Sequence, residues 1–156
     1  MTLQILDANP EDARNILALQ KLAYQSEALL YNNDKLPPLV QTLEEMEQDI
    51  RTMTVLKAVQ DREIIGSVRA NRENGICRIG RLIVAPACQG RGIGTKLMQA
   101  VEDAFPLARA FELFTGDKSV RNIRLYERLG YVRTRTQVVS PGLTLVFLTK
   151  TRVLLA

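Results

Sequence analysis

The segment Gln89-Gly90-Arg91-Gly92-Ile93-Gly94 restricts the possible folds of this chain more than any other feature. An apolar stretch at residues 82–84 precedes it, and apolar residues recur at helical spacing after it, at Ile93, Leu97, Val101 and Phe105. Three glycines leave the main chain bare, so that successive backbone N–H groups can converge on an anion at the positive end of a helix. The sequence therefore predicts a strand, a turn and a helix that together bind phosphate groups.

The spacing of the glycines distinguishes between kinds of phosphate ligand. A dinucleotide-binding turn would have glycine where Thr95 stands, and a Walker loop would have glycine before Lys96. The remaining pattern, Gln-x-x-Gly-x-Gly, resembles the acetyl-coenzyme A loop of the GNAT N-acetyltransferases. Taken alone, such a turn is structural in most proteins.

A second group of residues downstream carries the other half of the resemblance. Ser119, Asn122 and Tyr126 stand at i, i+3 and i+7 of a predicted helix that ends at Gly130, so their polar groups share one stripe. An ordinary amphipathic helix with a half-buried tyrosine would have the same spacing. However, two motifs in the order that the GNAT family uses make coincidence improbable, and the chain is identified as similar to this family.

Local signals predict the elements in the order β-α-α-β-β-β-α-β-α-β-β. Pro10 opens a helix over residues 13–27, a loop follows at 29–38, and Thr42 with Glu45 forms a capping box for a second helix. The Asn74-Gly75 pair predicts a hairpin, so the strand at 76–84 runs antiparallel to its predecessor. The resemblance implies an α/β (α+β) fold with a mixed sheet of about seven strands and about four helices, in one domain over residues 1–156.

Composition excludes several chemistries. The chain has no histidine, which rules out Ser-His and Cys-His nucleophile pairs, and Cys77 and Cys88 lack the spacing of a metal or disulfide framework, so we expect two free thiols and no metal. The net charge of +4 suits a polyanionic ligand, but the scattered arginines and 5% aromatic content argue against nucleic acid. No secretory or membrane segment is evident, so a cytoplasmic monomer or homodimer is expected.

The resemblance assigns the cofactor site residue by residue. It implies that acetyl-coenzyme A extends the sheet along the backbone of Leu82, Ile83 and Val84, and that Asn122 binds the same pantetheine arm in preference to Ser119. It also implies that the pyrophosphate lies among the backbone amides of Gln89, Gly90, Arg91, Gly92, Ile93, Gly94 and Thr95. A pantetheine arm contains amides that need hydrogen-bond partners when buried, and the edge of a strand supplies them.

The same resemblance implies direct acetyl transfer to an amine. Tyr126 is the candidate general acid, because a phenol is protonated at neutral pH and can donate to the leaving sulfur. The alternative is a tyrosine that only packs beneath the cofactor. Many relatives carry a carboxylate where this chain has Arg81, so the general base is left unassigned. Glu73 and Glu112 are the nearest acids, and each is better explained as a solvated charge at a strand end.

Weaker signals concern the acceptor. Arg69 and Arg81 lie on neighbouring predicted strands and could bind a carboxylate, although such arginines more often form a local salt bridge. Tyr31, in the loop between the first two helices, is a candidate substrate contact. The leading expectation is an acetyl-coenzyme A-dependent N-acetyltransferase for a small amine that can carry a carboxylate. A protein N-terminus or lysine is the alternative acceptor, and a non-catalytic acyl-coenzyme A-binding module is the alternative class.

Overall fold

A computed structural model describes residues 2–153, whose seven strands form one mixed sheet. The order across the sheet is β1-β2-β3-β4-β5-β7-β6, and neighbours are antiparallel except for β4 and β5, which are parallel. The expected mixed sheet of about seven strands is confirmed. The strands are β1 (Gln4–Asp7), β2 (Thr54–Gln60), β3 (Glu63–Glu73), β4 (Ile76–Val84), β5 (Ala110–Gly116), β6 (Val132–Ser140) and β7 (Leu143–Thr151).

Within the same residues the chain forms six α-helical segments rather than about four. The predicted helix over 13–27 is interrupted at Tyr24, and the predicted loop at 29–38 contains the end of a second helix and the start of a third. None of these helices is long and apolar enough to cross a membrane. The segments are α1 (Ala13–Ala23), α2 (Gln25–Tyr31), α3 (Pro37–Val40), α4 (Leu43–Thr52), α5 (Ile93–Ala104) and α6 (Val120–Arg128).

Short turns and caps follow the sequence closely. Asn74 and Gly75 both have positive φ, at 55° and 80°, as a tight hairpin turn requires, and β3 pairs antiparallel with β4 across it. Thr42 and Glu45 exchange hydrogen bonds of 2.9 and 3.2 Å at the start of α4, which confirms the capping box. Gly130, just past the end of α6, has φ 98°.

The strand pair β3–β4 contains an irregularity that shapes the site. Ser67 lies opposite Ile83 and Arg69 opposite Gly80, so β4 has one additional residue at this point. Arg81, in the irregular stretch, has φ 52°, a left-handed conformation that is uncommon outside glycine. An extra residue of this kind bends the strand that contains it, and here it lies where β4 leaves its parallel neighbour.

The parallel strands β4 and β5 pair only at their beginnings. Their register covers Ile76 to Arg78 on β4 and Ala110 to Glu112 on β5. Beyond those residues β5 continues to pair with β7 as far as Gly116, and β4 continues to pair with β3. The two strands therefore separate towards their carboxyl ends.

Helices cover both faces of the sheet. The larger core cluster joins α5 and α6 to the strands through residues such as Leu97, Val101 and Ile123, with Leu56 on β2. The smaller cluster joins α1 and α4 to the neighbouring residue Val55. Because adjacent residues of a strand point to opposite faces, the two clusters lie on opposite sides of the sheet. The candidate site lies where β4 and β5 separate towards their carboxyl ends.

Candidate active site

A cleft of about 780 Å³ follows the carboxyl end of β4 and the turn into α5. Residues of β4, α1, α2, α5 and α6 line it, which brings together segments that are distant in the sequence. Its described lining includes three cations, Lys118, Arg121 and Arg128, and a single carboxylate, Glu27. The cleft is therefore suited to a polyanionic ligand. At Glu27, the one negative charge in the described lining, such a ligand would place a small polar group and not a phosphate.

The glycine-rich turn forms the anion-binding end of this cleft. Gly90 and Gly92 have φ values of 80° and 78°, and α5 begins directly after them at Ile93. The first hydrogen bond of the helix runs from the Lys96 N–H to the Gly92 carbonyl at 3.1 Å. The preceding N–H groups have no acceptor within the helix and point beyond its positive end. The predicted strand, turn and helix are confirmed.

Two of the glycines leave space for a ligand and the third permits close packing. A Cβ built on Gly90 or Gly92 would have no atom within 4 Å, so this side of the turn is open. A Cβ on Gly94 would lie 3.3 Å from Leu125 and 3.8 Å from Leu82, so that residue allows α5 to approach α6 and β4. The bare and open backbone at the helix N-terminus fits a pyrophosphate.

Side chains around the turn are tied to α6. Gln89 accepts a hydrogen bond of 2.6 Å from Arg121, which joins the two halves of the sequence signature. Thr95 lines the cleft, whereas Arg91 is exposed and is not among the lining residues. Arg91 therefore belongs to the turn through its backbone, and its side chain does not form a wall of the cleft.

The carboxyl end of β4 offers one free edge to the cleft. Leu82, Ile83 and Val84 all line it, and Ile83 pairs with Ser67 on the β3 side. On the β5 side no described strand pairs with this part of β4. An extended ligand that contains amides can therefore lie against the strand as an additional partner.

The predicted polar stripe of α6 is divided between the cleft wall and the core. Ser119 and Asn122 line the cleft, but Tyr126 does not. Asn122 is half-buried, and Ser119 is 3% exposed. The Ser119 side chain does not cap α6 and instead donates a hydrogen bond of 2.5 Å to Glu27.

Tyr126 lies in the core behind the cleft wall. It is 7% exposed and packs at 6.1 Å, centroid to centroid, against Tyr131. Burial raises the pKa of its phenol, and the charges of Tyr24 and Glu27, which line the cleft, raise this pKa further. Among described residues the Tyr126 hydroxyl has no hydrogen-bond partner, yet no fully buried side-chain polar atom there lacks one.

Arg69 and Arg81 belong to a polar network beneath α1 and α4. Arg69 pairs with Asp49 at 2.5 Å, and Arg81 donates to the Gln41 Oε1 at 2.8 Å. Gln41 in turn donates to Asp49 at 2.7 Å and accepts from Gln20 at 2.8 Å. Burial, followed by the charge of Arg69, lowers the pKa of Arg81. Neither arginine lines the cleft, and the network contains two guanidinium groups but one carboxylate.

Tyr31 is also engaged within the protein. It is 8% exposed, is not among the lining residues, and its hydroxyl accepts a hydrogen bond of 2.7 Å from the Lys118 N–H. Its position ties α2 to the loop before α6. The two acids considered for the base lie elsewhere, because Glu112 pairs with Arg78 at 2.7 Å and Glu73 is exposed at the far end of β3.

Sequence reasoning missed two residues that the structure places in the cleft wall. Tyr24 stands where the predicted first helix is interrupted, and Glu27 follows in the first turn of α2. Burial raises the pKa of Tyr24. The sequence predicted one continuous helix over residues 13–27. Within such a helix, nothing distinguished Tyr24 and Glu27 from residues exposed to solvent. No local signal marks the interruption, and α2 contacts the loop before α6 through Tyr31 and Glu27.

The fold and this site define a class of protein, and a family model assigns it. The model described as an acetyltransferase (GNAT) domain matches residues 21–152, so the chain belongs to the acetyltransferase (GNAT) family. The resemblance seen in the two sequence motifs is thereby confirmed.

Individual proteins resemble the chain at low identity. The UPF0157 protein YqkA of Bacillus subtilis (strain 168) is 27% identical over 133 residues, which are 85% of this chain and 38% of YqkA, so the chain spans well under half of that relative. The PaiA N-acetyltransferase of Thermoplasma acidophilum, solved with coenzyme A, has a TM-score of 0.79 at 14% identity, covering 97% of this chain and 100% of that one. The Brucella melitensis ribosomal-protein-alanine N-acetyltransferase has a TM-score of 0.78 at 19% identity, covering 96% and 99%. These structural likenesses show the fold.

Proposed function

We propose that this protein transfers the acetyl group of acetyl-coenzyme A directly to the primary amine of a small molecule. The observation that carries the proposal is the free edge of β4 leading into the open glycine turn. A pantetheine arm placed along that edge directs its pyrophosphate to the start of α5 and its thioester towards the space where β4 and β5 separate. The PaiA structural neighbour, which was solved with coenzyme A, supports the choice of cosubstrate.

The cofactor contacts divide into backbone and side-chain roles. Leu82, Ile83 and Val84 offer backbone groups to the arm, and Asn122 offers its amide from the opposite wall. The turn from Gln89 to Thr95 receives the pyrophosphate. Lys118, Arg121 and Arg128 make the surrounding lining positive, which favours the approach of a ligand with several phosphate charges.

Tyr126 is the proposed general acid. When bound, the cosubstrate supplies an activated acyl group, and the chemistry left to the protein is positioning and proton transfer. The raised pKa keeps the Tyr126 phenol protonated at neutral and mildly alkaline pH, so that it has a proton to give to the leaving sulfur. Tyr126 lies behind the cleft wall, and among residues 2–153 its hydroxyl has no hydrogen-bond partner that would compete for this proton.

The proposed acceptor is a small amine that also bears an anionic group. Among the described residues Arg69 pairs with the carboxylate of Asp49, whereas Arg81 bonds to the neutral side chain of Gln41 and is influenced by the charges of Asp49 and Glu45. Arg81 uses one nitrogen for Gln41 and keeps other N–H donors for a ligand. We place the acceptor's carboxylate on this side. The cytoplasmic location and the monomeric or dimeric state remain predictions from the sequence.

Two alternatives predict different results. A protein N-terminus or lysine is favoured by the structural neighbour that is named a ribosomal-protein-alanine N-acetyltransferase. A non-catalytic acyl-coenzyme A-binding module is favoured by the lack of an acid at position 81, where many relatives carry a base.

One assay separates these possibilities. The purified protein is mixed with acetyl-coenzyme A and a panel of amines, and released thiol is measured against a reaction without acceptor. The panel contains free amino acids, polyamines and short peptides with free N-termini or lysines. The proposal expects acceptor-dependent release with small zwitterionic amines. Preferential release with peptides would favour the protein acetyltransferase, and cofactor binding without release from any amine would favour the binding module.

A further inference from the structure

Glu27 is the one carboxylate among the described residues that line the cleft, and no lysine or arginine among residues 2–153 forms an ion pair with it. Its Oε2 accepts a hydrogen bond of 2.5 Å from the Ser119 hydroxyl. A half-buried carboxylate with a neutral partner retains much of its capacity to bind a cation. The structure thus presents an uncompensated negative charge inside a cleft that is otherwise positive.

Glu27 lies in the cleft wall beside the loop before α6, because it accepts from Ser119, whose hydroxyl oxygen is 3.4 Å from the Tyr31 hydroxyl. Three phenols lie within its electrostatic range, because the charge of Glu27 raises the pKa of Tyr24, Tyr31 and Tyr126. The neighbouring cations have other partners. Of the cations that line the cleft, Lys118 lies 5.6 Å from the centre of the Tyr31 ring, and Arg121 donates to Gln89. Among the described residues that line the cleft, Glu27 is therefore the carboxylate available to bind the ammonium group of an amine acceptor.

We propose that Glu27 binds the ammonium group of the acceptor and takes up the proton that this group loses before it attacks. The proposal rests on the proposed acetyltransferase function. It assigns a general base to a chain that has Arg81 where many relatives carry a carboxylate. It also explains why Ser119 is turned towards Glu27, since the hydroxyl fixes one carboxylate oxygen and leaves the other directed to the acceptor.

The N–H bond of the ammonium breaks and its proton passes to the Glu27 carboxylate and then to water. The free amine forms a bond to the thioester carbonyl carbon, and the carbon–sulfur bond breaks with its electron pair on sulfur. Sulfur takes the Tyr126 proton. The nitrogen loses its second proton to water as the amide forms, and water restores the proton of Tyr126, so that one proton is released per turnover.

Glu27→Gln tests the proposal because glutamine keeps the size of the side chain and can still accept from Ser119. With the best small-amine acceptor from the panel, kcat/KM at pH 7 is expected to fall about 10²-fold or more, as for the loss of a general base. The deficit is expected to shrink above the pKa of the acceptor, where the amine is already free. Glu44→Gln, an exposed acid in the first turn of α4, is the matched control and should not change either value.

A binding measurement gives a second readout without turnover. In the presence of coenzyme A, which has no acetyl group to transfer, calorimetry should show about tenfold or greater weakening of ammonium binding to Glu27→Gln. The affinity for coenzyme A itself should match that of the unmodified protein, which also shows that the variant is folded. Glu27→Asp, which keeps the charge with a shorter reach, should recover part of both losses.

Three outcomes are decisive. If Glu27→Gln has the unmodified pH profile and acceptor affinity, Glu27 is not the base. If Ser119→Ala loses as much activity as Glu27→Gln, the pair is a structural tie and the proposal fails. If the unmodified protein releases no thiol with any amine, the proposed acetyltransferase function falls, and the assignment of Glu27 with it.

Discussion

The phenol of Tyr31 occupies the space that a side chain at Gly116 would need. Gly116 ends β5, and Tyr31 ends α2, so this contact sets the distance between the sheet and one wall of the cleft. Glycine is required here for close approach. The same contact explains why Tyr31, expected to be a substrate contact, lies inside the protein.

Gly116→Ala is therefore expected to displace Tyr31 and destabilise the protein. Forcing a methyl group into a packed position costs about 1–3 kcal/mol of unfolding free energy. Urea unfolding measures this loss. A Gly116→Ala/Tyr31→Ala double variant should recover part of the steric component, because the phenol is gone. Because Tyr31→Ala has a cost of its own, the comparison is the cost of Gly116→Ala with and without the phenol, and an equal cost in both backgrounds would contradict the contact as the cause.

Charge at the glycine turn is expected to abolish cofactor binding. Gly92→Asp and Gly92→Asn create side chains of nearly equal size at the same left-handed position, so the backbone strain is similar. The aspartate repels phosphate and the asparagine does not. Calorimetry with coenzyme A should therefore show no measurable binding to Gly92→Asp and retained, weaker binding to Gly92→Asn. Similar affinities for the two variants would remove the turn as the phosphate site.

Gly94→Asp should also abolish binding, for a reason that includes packing. The added Cβ would lie 3.3 Å from the Leu125 side chain, so that side chain must shift, and the new charge acts in addition. We expect this variant to lose unfolding free energy as well as cofactor affinity, whereas Gly92→Asp should lose chiefly affinity. Retained binding of coenzyme A by Gly94→Asp would contradict this placement.

Tyr126→Phe should bind acetyl-coenzyme A with near-normal affinity and turn over about 10²-fold or more slowly, the range for loss of a general acid. The phenol has no described hydrogen-bond partner to lose, so the variant should remain stable. Pre-steady-state measurement is needed to show that chemistry limits the rate. Unchanged turnover under that condition would leave Tyr126 as a packing residue.

Arg81→Ala is expected to raise KM for an acceptor that bears a carboxylate more than KM for acetyl-coenzyme A. A matched acceptor without the carboxylate, such as the corresponding simple amine, is the control and should be affected less. Gln41 keeps its bond from Gln20, so the network is not dismantled. A preference for polyamines, or equal effects on both acceptors, would indicate that Arg81 serves only the network with Gln41 and Asp49.

Alkaline pH should destabilise the protein through its tyrosines. All four have raised pKa values, with burial as the largest cause in each, while an unfolded tyrosine ionises near pH 10. Below that pH both states hold the phenolic protons and the stabilisation is intact. As pH rises above about 10 the unfolded state loses protons first, so unfolding free energy falls.

Absorbance at 295 nm and circular dichroism, followed together from pH 9 to 12, test this. The phenolate signal should appear with the loss of secondary structure. Full ionisation of all four tyrosines in a folded protein would contradict the assigned burial.

Features that depend on residues close together in the chain were determined by the sequence itself. The Asn74-Gly75 turn, the Thr42 cap, the helix end at Gly130 and the strand, turn and helix around Gly92 each follow from the conformational preferences of a few adjacent residues. These local rules, combined with the order of the two motifs, were sufficient to predict the seven-stranded sheet and the GNAT family.

Features that depend on distant residues were decided only by the tertiary structure. Glu27 and Ser119 are 92 residues apart in the sequence. No local pattern predicts that the first helix is interrupted at Tyr24 or that Glu27 then contacts Ser119. Arg81 could be predicted as a cation on β4, but its engagement with Gln41, 40 residues away, depends on how α4 packs. Which side chains face a ligand is set by the packing of whole elements, and that packing sums many small contacts that no short segment contains.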